Sequence, residues 1–349
     1  MDELPVIDVA PLVGATPGSP ATDEEARVGA ALDAACRDLG FFLVTGHGAP
    51  AAALDELDRA ARGLFALPDD EKAEIAMALG GRAWRGWFPE GGELTSGVPD
   101  RKEGLYFGRE LPSDDPRVLA GTPLHGPNLF PRRPESLRPA VLAWMGEMER
   151  VGHALVRGLG LGLGLGPTWF HDHLTADPTL LFRIFRYPPQ DPTDAAWGVG
   201  EHTDYGLLTL LAHDGSSGLQ VRTSDGGWID VPAVDGALVV NLGDMLERMT
   251  GGRYRSTPHR VRHAVARDGV GDGVGDEVRD RLSFPFFFDP SWDAEVRPVP
   301  VVDIAGRELD DGAQRWDGRS VHQDDHRTYG EHLLAKVSKV FPHLAATEL

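Results

Sequence analysis

The spacing of apolar residues changes character partway along the chain. Up to about residue 161, apolar positions recur at helical intervals in several stretches. Thr22, followed by Asp23, Glu24 and Glu25, is a helix start with acidic residues in its first turn, and that helix is expected to run to about Leu39 and stop at Gly40. Residues 50–67 read as a second helix ending at Pro68, residues 69–72 open a short third one, and residues 134–161 carry the period of a long helix suited to bracing a β core. Residues 5–9 and 41–45 are β-forming runs set between them. From about 180 to 288 the pattern becomes one of short strands rich in β-formers, separated by Gly, Asp and Pro turns. Helical character returns over about 325–341, placed to close over a pocket mouth.

This pattern predicts a mainly β fold with flanking helices: a double-stranded β-helix (jelly-roll) core over about 180–290, an N-terminal α/β flank over 1–170 and a C-terminal helical tail over 325–349, in a single domain spanning 1–349. Two stretches depart from it. Residues 80–108 show no period and are rich in Gly, Trp and charge, which reads as a long functional loop forming a lid or wall of a substrate pocket. Residues 267–280 interrupt the core with a near-repeat of Gly, Asp and Val, expected to be a solvated, mobile insertion. The alternate glycines of 158–166 have Gly-x-Gly spacing but lack the strand-to-helix setting of a dinucleotide-binding turn, so nucleotide binding is not expected from them.

The candidate chemistry lies in the core. Side chains two apart on an extended chain share a face, so His202 and Asp204 point into one pocket while Thr203 points away. A third ligand has to come from elsewhere. His259 heads another β-like segment, and His263 shares its face on a regular strand, so spacing alone does not choose between them. Two imidazoles and one carboxylate on one side of a metal leave the opposite positions open, an arrangement associated with non-haem Fe(II) and O2 chemistry. Arg281 and Ser283 are also two apart, and a guanidinium fork beside a hydroxyl suits a carboxylate, with Arg279 as the competing cation. His322-Gln-Asp324 repeats the His-x-Asp spacing without a downstream strand histidine, and His171-Asp172-His173 precedes a predicted loop, so neither is expected to hold metal.

Charge and cysteine content narrow the class. Thirty-four Lys and Arg against 54 Asp and Glu give a formal net charge of −20, which disfavours nucleic acid and anionic membrane as partners. Cys36 stands alone, so no internal disulfide is possible and a reducing cytoplasm is the expected location. The N-terminus has no signal-peptide pattern and no window approaches the ~20 apolar residues of a membrane span, so a soluble protein with no obligate protein partner is expected.

In order, His202-Thr-Asp-Tyr-Gly-Leu-Leu-Thr-Leu-Leu211, Gly218-Leu-Gln-Val221, Asn241-Leu-Gly-Asp244, Ser256-Thr-Pro-His-Arg-Val261 and Arg281-x-Ser283 resemble the signature of the Fe(II)/2-oxoglutarate dioxygenases of the isopenicillin N synthase-like family. The resemblance extends upstream to Phe185-Arg-Tyr-Pro-Pro189, Gly40-Phe-Phe-Leu-Val-Thr-Gly-His-Gly48 and Pro5-Val-Ile-Asp-Val9, nearly the whole chain. It implies Fe(II) on His202, Asp204 and His259, the Ser-Thr-Pro-His-Arg-Val frame selecting His259 over His263. It implies 2-oxoglutarate chelating that metal, with its distal carboxylate on Arg281 and Ser283, the following Phe-Pro-Phe-Phe run selecting Arg281 over Arg279, and Tyr187 assisting. With O2 as the other co-substrate, 2-oxoglutarate would leave as succinate and CO2 while a C–H bond of a small metabolite is hydroxylated, desaturated or cyclised.

There is one departure. Many members carry an Asn two residues before that tyrosine, where this chain has Phe185, and Arg183 on the same strand face is the candidate replacement. Glu93-Leu-Thr95 and Asp100-Arg-Lys-Glu103 resemble a stretch of bacterial and fungal members including the ethylene-forming branch, which Pro123-Leu-His-Gly-Pro127 and Tyr329-Gly-Glu-His332 also resemble; this implies Glu93 and Thr95 as substrate contacts, and Tyr205, next to the metal strand, is a further candidate. Lys339 stands where that branch carries an Arg for an amino-acid substrate, and Arg85, Trp87 and Phe287 are candidates either for the pocket or for packing. Two outcomes inside the family stay open: an Fe(II) oxidase that does not use 2-oxoglutarate, and ethylene-forming breakdown of 2-oxoglutarate. A binding module that had lost catalysis is disfavoured, because all three ligand positions are filled.

Overall fold

Short strands and long helices build the chain around a two-sheet sandwich. The computed structural model describes residues 4–16, 18–95, 97–189, 197–216, 218–262, 280–300 and 327–340. In the first half of the chain the strands are β1 (Val6–Asp8), β2 (Phe41–Thr45), β3 (Gly86–Phe88), β4 (Leu94–Thr95), β5 (Val98–Pro99) and β6 (Glu103–Gly108). The second half supplies β7 (Thr179–Tyr187), β8 (Val199–His202), β9 (Leu208–His213), β10 (Leu219–Arg222), β11 (Trp228–Asp230), β12 (Leu238–Leu242), β13 (His259–Val261) and β14 (Arg281–Asp289). A major sheet runs in the order β1-β2-β12-β9-β14-β7-β6-β3, and a minor sheet in the order β11-β10-β13-β8. The two sheets are the jelly roll that the strand pattern predicts.

Strand parity decides what each face of the major sheet does. On β14, Phe284, Phe286 and Phe288 are fully buried, and Gly152 of the long helix Leu137–Gly162 lies directly against the Phe288 ring. The alternate residues Arg281, Ser283, Pro285 and Phe287 line the cavity on the other face. Burying each of those phenylalanines is worth ~2 kcal/mol or more. The helix Leu137–Gly162 turns Val141, Trp144, Met148, Val151, Leu155 and Leu159 inward at helical spacing, so its apolar stripe backs the sheet.

The N-terminal helices follow the expected boundaries closely. Thr22 accepts from the Glu25 backbone N–H at 3.2 Å and the Glu25 carboxylate accepts from the Thr22 N–H at 2.7 Å, a reciprocal cap that starts the helix Asp23–Asp38. The glycine run at 158–166 has a packing role: a Cβ at Gly162 would sit 2.4 Å from the Gly29 carbonyl oxygen, and one at Gly29 2.8 Å from the Leu161 Cβ. Small residues let those two helix backbones touch.

Residues 80–108 differ from the expected loop. The segment contributes β3 and β6 to the major sheet, with β6 paired along its length with β7 and β3 on the edge. Glu103–Gly108 is buried throughout, so it carries no apolar-polar alternation for the eye to find. Residues 267–279 of the expected 267–280 insertion, Arg279 among them, and His263, His322 and Asp324 lie outside the described residues. The tail helix forms at Tyr329–Val340 and reaches the cavity with Leu333, Lys339 and Val340. Among the described residues no helix is long and apolar enough to cross a membrane.

Candidate active site

His202 ends β8 and His259 begins β13, and the two strands pair antiparallel with these residues directly opposite each other. The imidazole centroids are therefore 4.2 Å apart. The His202 Nδ1 lies 2.8 Å from the Gly200 carbonyl oxygen and the His259 Nδ1 3.1 Å from that of Thr257. A carbonyl only accepts, so each Nδ1 carries the hydrogen and each Nε2 lone pair is left free to bind metal. Asp204 follows two residues after His202, and its Oδ2 accepts from Thr209 Oγ1 at 2.5 Å on β9 and from Asn241 Nδ2 at 2.7 Å on β12. The other oxygen, Oδ1, stands 4.0 Å from the His202 Nε2 and 3.9 Å from the His259 Nε2. Among the described residues this is the group of histidines and acids whose ligand atoms converge, all within 4.8 Å of one another.

Protonation favours ligation as well. Burial pushes the His259 imidazole down to about 4, the neighbouring His202 ring adds to the push and the Asp204 carboxylate opposes it. Burial also lowers His202. Burial alone would raise the Asp204 carboxyl, but the two imidazoles and the Thr209 and Asn241 donors outweigh it and hold the group below the ordinary carboxylate range. Two neutral imidazoles and one carboxylate on one side fit a divalent transition ion with open positions.

Across the cavity, the major sheet presents the anion-binding half. Register pairs Arg281 with Tyr187 and Ser283 with Phe185. Arg281 is 2% exposed, its guanidinium lies 4.8 Å over the Tyr187 ring, and its Nε and Nη1 are buried without hydrogen-bond partners. A buried cation with unused donors beside a buried hydroxyl is an arrangement a carboxylate completes. Arg183 lines the same cavity, sandwiched between the rings of Tyr106 at 4.1 Å and Phe287 at 4.8 Å, with Glu93 3.5 Å away. On β7, Phe185 lies between Arg183 and Tyr187, the register partner of Arg281, and supports the Lys102 ammonium, 4.8 Å above its ring.

The expected pocket residues divide into two groups. Glu93, Thr95, Tyr187, Arg183, Tyr205 and Phe287 all line the cavity, and Lys339 stands exposed at its mouth. Arg85 and Trp87 do not line it, which corrects their expected role. Arg85 is buried and donates to the carbonyls of Arg109 at 2.9 Å, Leu124 at 3.0 Å and Gly126. Trp87 donates to Glu103 at 2.9 Å beneath the Lys72 ammonium. The cause is strand parity: Phe88 is the β3 residue that meets Tyr106 and Phe185, so its odd-numbered neighbours turn to the other face.

Sequence reasoning missed a buried network at the same wall. Lys102 binds Glu93 at 2.9 Å and also Asp100, Thr95 donates to Asp100 at 2.8 Å, and Tyr106 donates to Glu93. Burial alone would raise Glu93 and lower Lys102, but each is outweighed by the opposite charges beside it, so Glu93 is held low and Lys102 high. The signal lay in the spacing of Lys102, Gly104 and Tyr106, which is that of one strand face.

Comparison with known proteins agrees with this geometry. Residues 4–133 match the family described as the N-terminal region of non-haem dioxygenases in morphine synthesis, and residues 178–290 match the 2OG-Fe(II) oxygenase superfamily. A Dictyostelium discoideum protein named as an iron/ascorbate oxidoreductase is 39% identical over 99% of this chain and 96% of its own length. A Glycine max protein named homoarginine-6-hydroxylase is 32% identical, covering 98% of both chains. The solved structure of a full-length Neurospora crassa protein in complex with α-ketoglutarate superposes with a TM-score of 0.74 at 22% identity, over 96% of each chain, and so supports the fold. The chain belongs to the 2OG-Fe(II) oxygenase superfamily.

Proposed function

We propose that His202, Asp204 and His259 hold Fe(II), and that Arg281, Ser283, Tyr187 and Arg183 hold 2-oxoglutarate, in an enzyme that oxidises a C–H bond of a small metabolite. The observation that carries the reading is the facing of two half-sites across one cavity: three converging metal donors on one side and the unpartnered, buried Arg281 on the other. Bound together, Fe(II), 2-oxoglutarate and O2 supply an oxidant strong enough for an unactivated C–H bond, with succinate and CO2 as co-products.

The chain's own residues do the positioning. The Gly200 and Thr257 carbonyls fix the two imidazole tautomers, and Thr209 and Asn241 fix which Asp204 oxygen faces the metal. Arg281 and Ser283 take the distal carboxylate, and Tyr187 lies under the Arg281 fork. Arg183 takes the role that an Asn has in many relatives, at the metal end of the co-substrate. Glu93 already accepts from Tyr106 and pairs with the Lys102 and Arg183 cations, so it orients those groups and is not a free substrate anchor. Thr95, Tyr205 and Phe287 form the substrate wall, with Lys339 at the entrance. The lone cysteine fits a cytoplasmic location.

Oxygen uptake by the Fe(II)-loaded protein across a panel of small metabolites, starting with basic amino acids because one relative is named for homoarginine, tests this function. Uptake should require 2-oxoglutarate and give one succinate per oxidised product. Uptake that proceeds without 2-oxoglutarate would move the protein to the oxidases, and ethylene in the headspace would move it to the ethylene-forming branch.

A further inference from the structure

Three side-chain contacts of the helix Tyr329–Val340 converge on one short turn, while its first backbone N–H groups donate to the Ala294 and Trp292 carbonyls. Tyr329 donates to Asp289 Oδ2 at 2.6 Å, and the same carboxylate receives the Leu207 backbone N–H on Oδ1 at 2.9 Å. His332 Nε2 lies 3.1 Å from the Tyr205 carbonyl oxygen and therefore carries the hydrogen. Lys336 reaches Asp244 at 3.1 Å, and the Asp244 N–H donates to the Asp204 carbonyl oxygen at 2.8 Å. Residues 329, 332 and 336 lie on one helix face, so a single docked surface makes all three contacts.

The recipient is the turn that begins at Asp204, where the chain passes from the minor sheet into β9. Its contacts are enclosed: Tyr329 is 0% exposed, Asp244 1%, and Asp289 and His332 2% each. Gly206 has no room for a side chain, because a Cβ there would fall 1.5 Å from Asp289 Oδ1. The turn is thus held from below by Thr209 and Asn241 on the Asp204 side chain, and from above on its backbone by His332 of the tail helix and by Asp289 of β14, whose carboxylate the tail helix engages through Tyr329. Leu333 and Val340 of the same helix line the cavity, so docking the helix sets the wall and the carboxylate together.

We propose that Asp289, Tyr329, His332 and Lys336 are positioning residues that couple the docked C-terminal helix to the geometry of Asp204, so that undocking the helix loosens the metal site. The inference rests on the reading of Asp204 as a metal ligand. Freeing the turn leaves Asp204 Oδ1 sampling positions away from the two Nε2 atoms, which weakens Fe(II) binding without removing a ligand.

The test uses the full chain with Tyr329→Phe, which deletes one hydroxyl, and Lys336→Met as a second variant at the less buried end of the contact face. Hydrogen exchange on the metal-free protein should quicken in peptides covering 204–209 as well as in 329–340, and anaerobic calorimetry should show Fe(II) affinity falling by about tenfold. Faster exchange confined to 329–340, with 204–209 and Fe(II) affinity unchanged in both variants, overturns the coupling. If the wild-type protein itself takes up no Fe(II), the metal reading of Asp204 falls, while the exchange data still decide the mechanical link between helix and turn.

Discussion

Replacing Arg281 with Ala should weaken co-substrate binding while leaving the metal site intact. The side chain is 2% exposed and its Nε and Nη1 have no partners, so the ligand-free protein maintains a buried cation with unused donors. A bound carboxylate would take two charge-assisted hydrogen bonds from the fork, each worth ~1.5–3 kcal/mol. Part of that is returned in the variant, because truncation also relieves the ligand-free protein of the buried charge. The net loss should be ~2–4 kcal/mol, or roughly 30- to 900-fold in the dissociation constant of 2-oxoglutarate. Arg281→Lys keeps the charge but not the fork and should fall between wild type and Ala. Anaerobic calorimetry of 2-oxoglutarate into Fe(II)-loaded protein measures the constant directly, and the preceding Fe(II) titration serves as its control. A shift of less than about threefold, ~0.6 kcal/mol, would refute the argument. So would an equal loss of Fe(II) affinity, since Arg281 would then be supporting the metal site.

Other consequences follow from the same geometry. Ser283→Ala should weaken 2-oxoglutarate by about fivefold, one ordinary hydrogen bond, in the same titration. Asn241→Ala frees the Asp204 carboxylate on one side and should lower Fe(II) affinity by ~10- to 100-fold in a chelator competition assay. The His259 imidazole is pushed from 6.5 down to about 4, so between those values the unfolded chain takes up a proton that the fold does not. Metal-free stability should therefore fall as the pH drops from about 6.5 towards 4 in urea titrations. Glu93→Gln leaves Lys102 and Arg183 short of a counter-charge inside the wall and should cost ~3–5 kcal/mol of stability by denaturant unfolding.

The metal site is legible in the sequence because its information is local. His202, the last residue of β8, and Asp204 sit two apart in sequence, and their ligand atoms converge. Arg281 and Ser283 are legible for the same reason. Which residue stands opposite which is set by strand register, a long-range property. The pairing of His259 with His202 and of Tyr187 with Arg281 is therefore visible only in three dimensions. Residues 80–108 read as a loop because a strand buried on both faces shows no alternation, and the inward side of β3 cannot be assigned without its partner β6. The expectation that Arg85 and Trp87 face the pocket fails for that reason. The anchors of the tail helix are hidden more deeply, since Tyr329, His332 and Asp289 are separated along the chain and meet their partners only when the helix docks.

The most direct test of the central claim is an anaerobic titration of metal-free protein with Fe(II) and 2-oxoglutarate, followed by the weak visible charge-transfer band of the chelate. The band should form with wild type, be absent in His202→Ala, and in Arg281→Ala require at least about thirtyfold more 2-oxoglutarate. Iron that binds without producing the band at any 2-oxoglutarate concentration would contradict the account, and would point to Phe185 as the change that removed the co-substrate from this cavity.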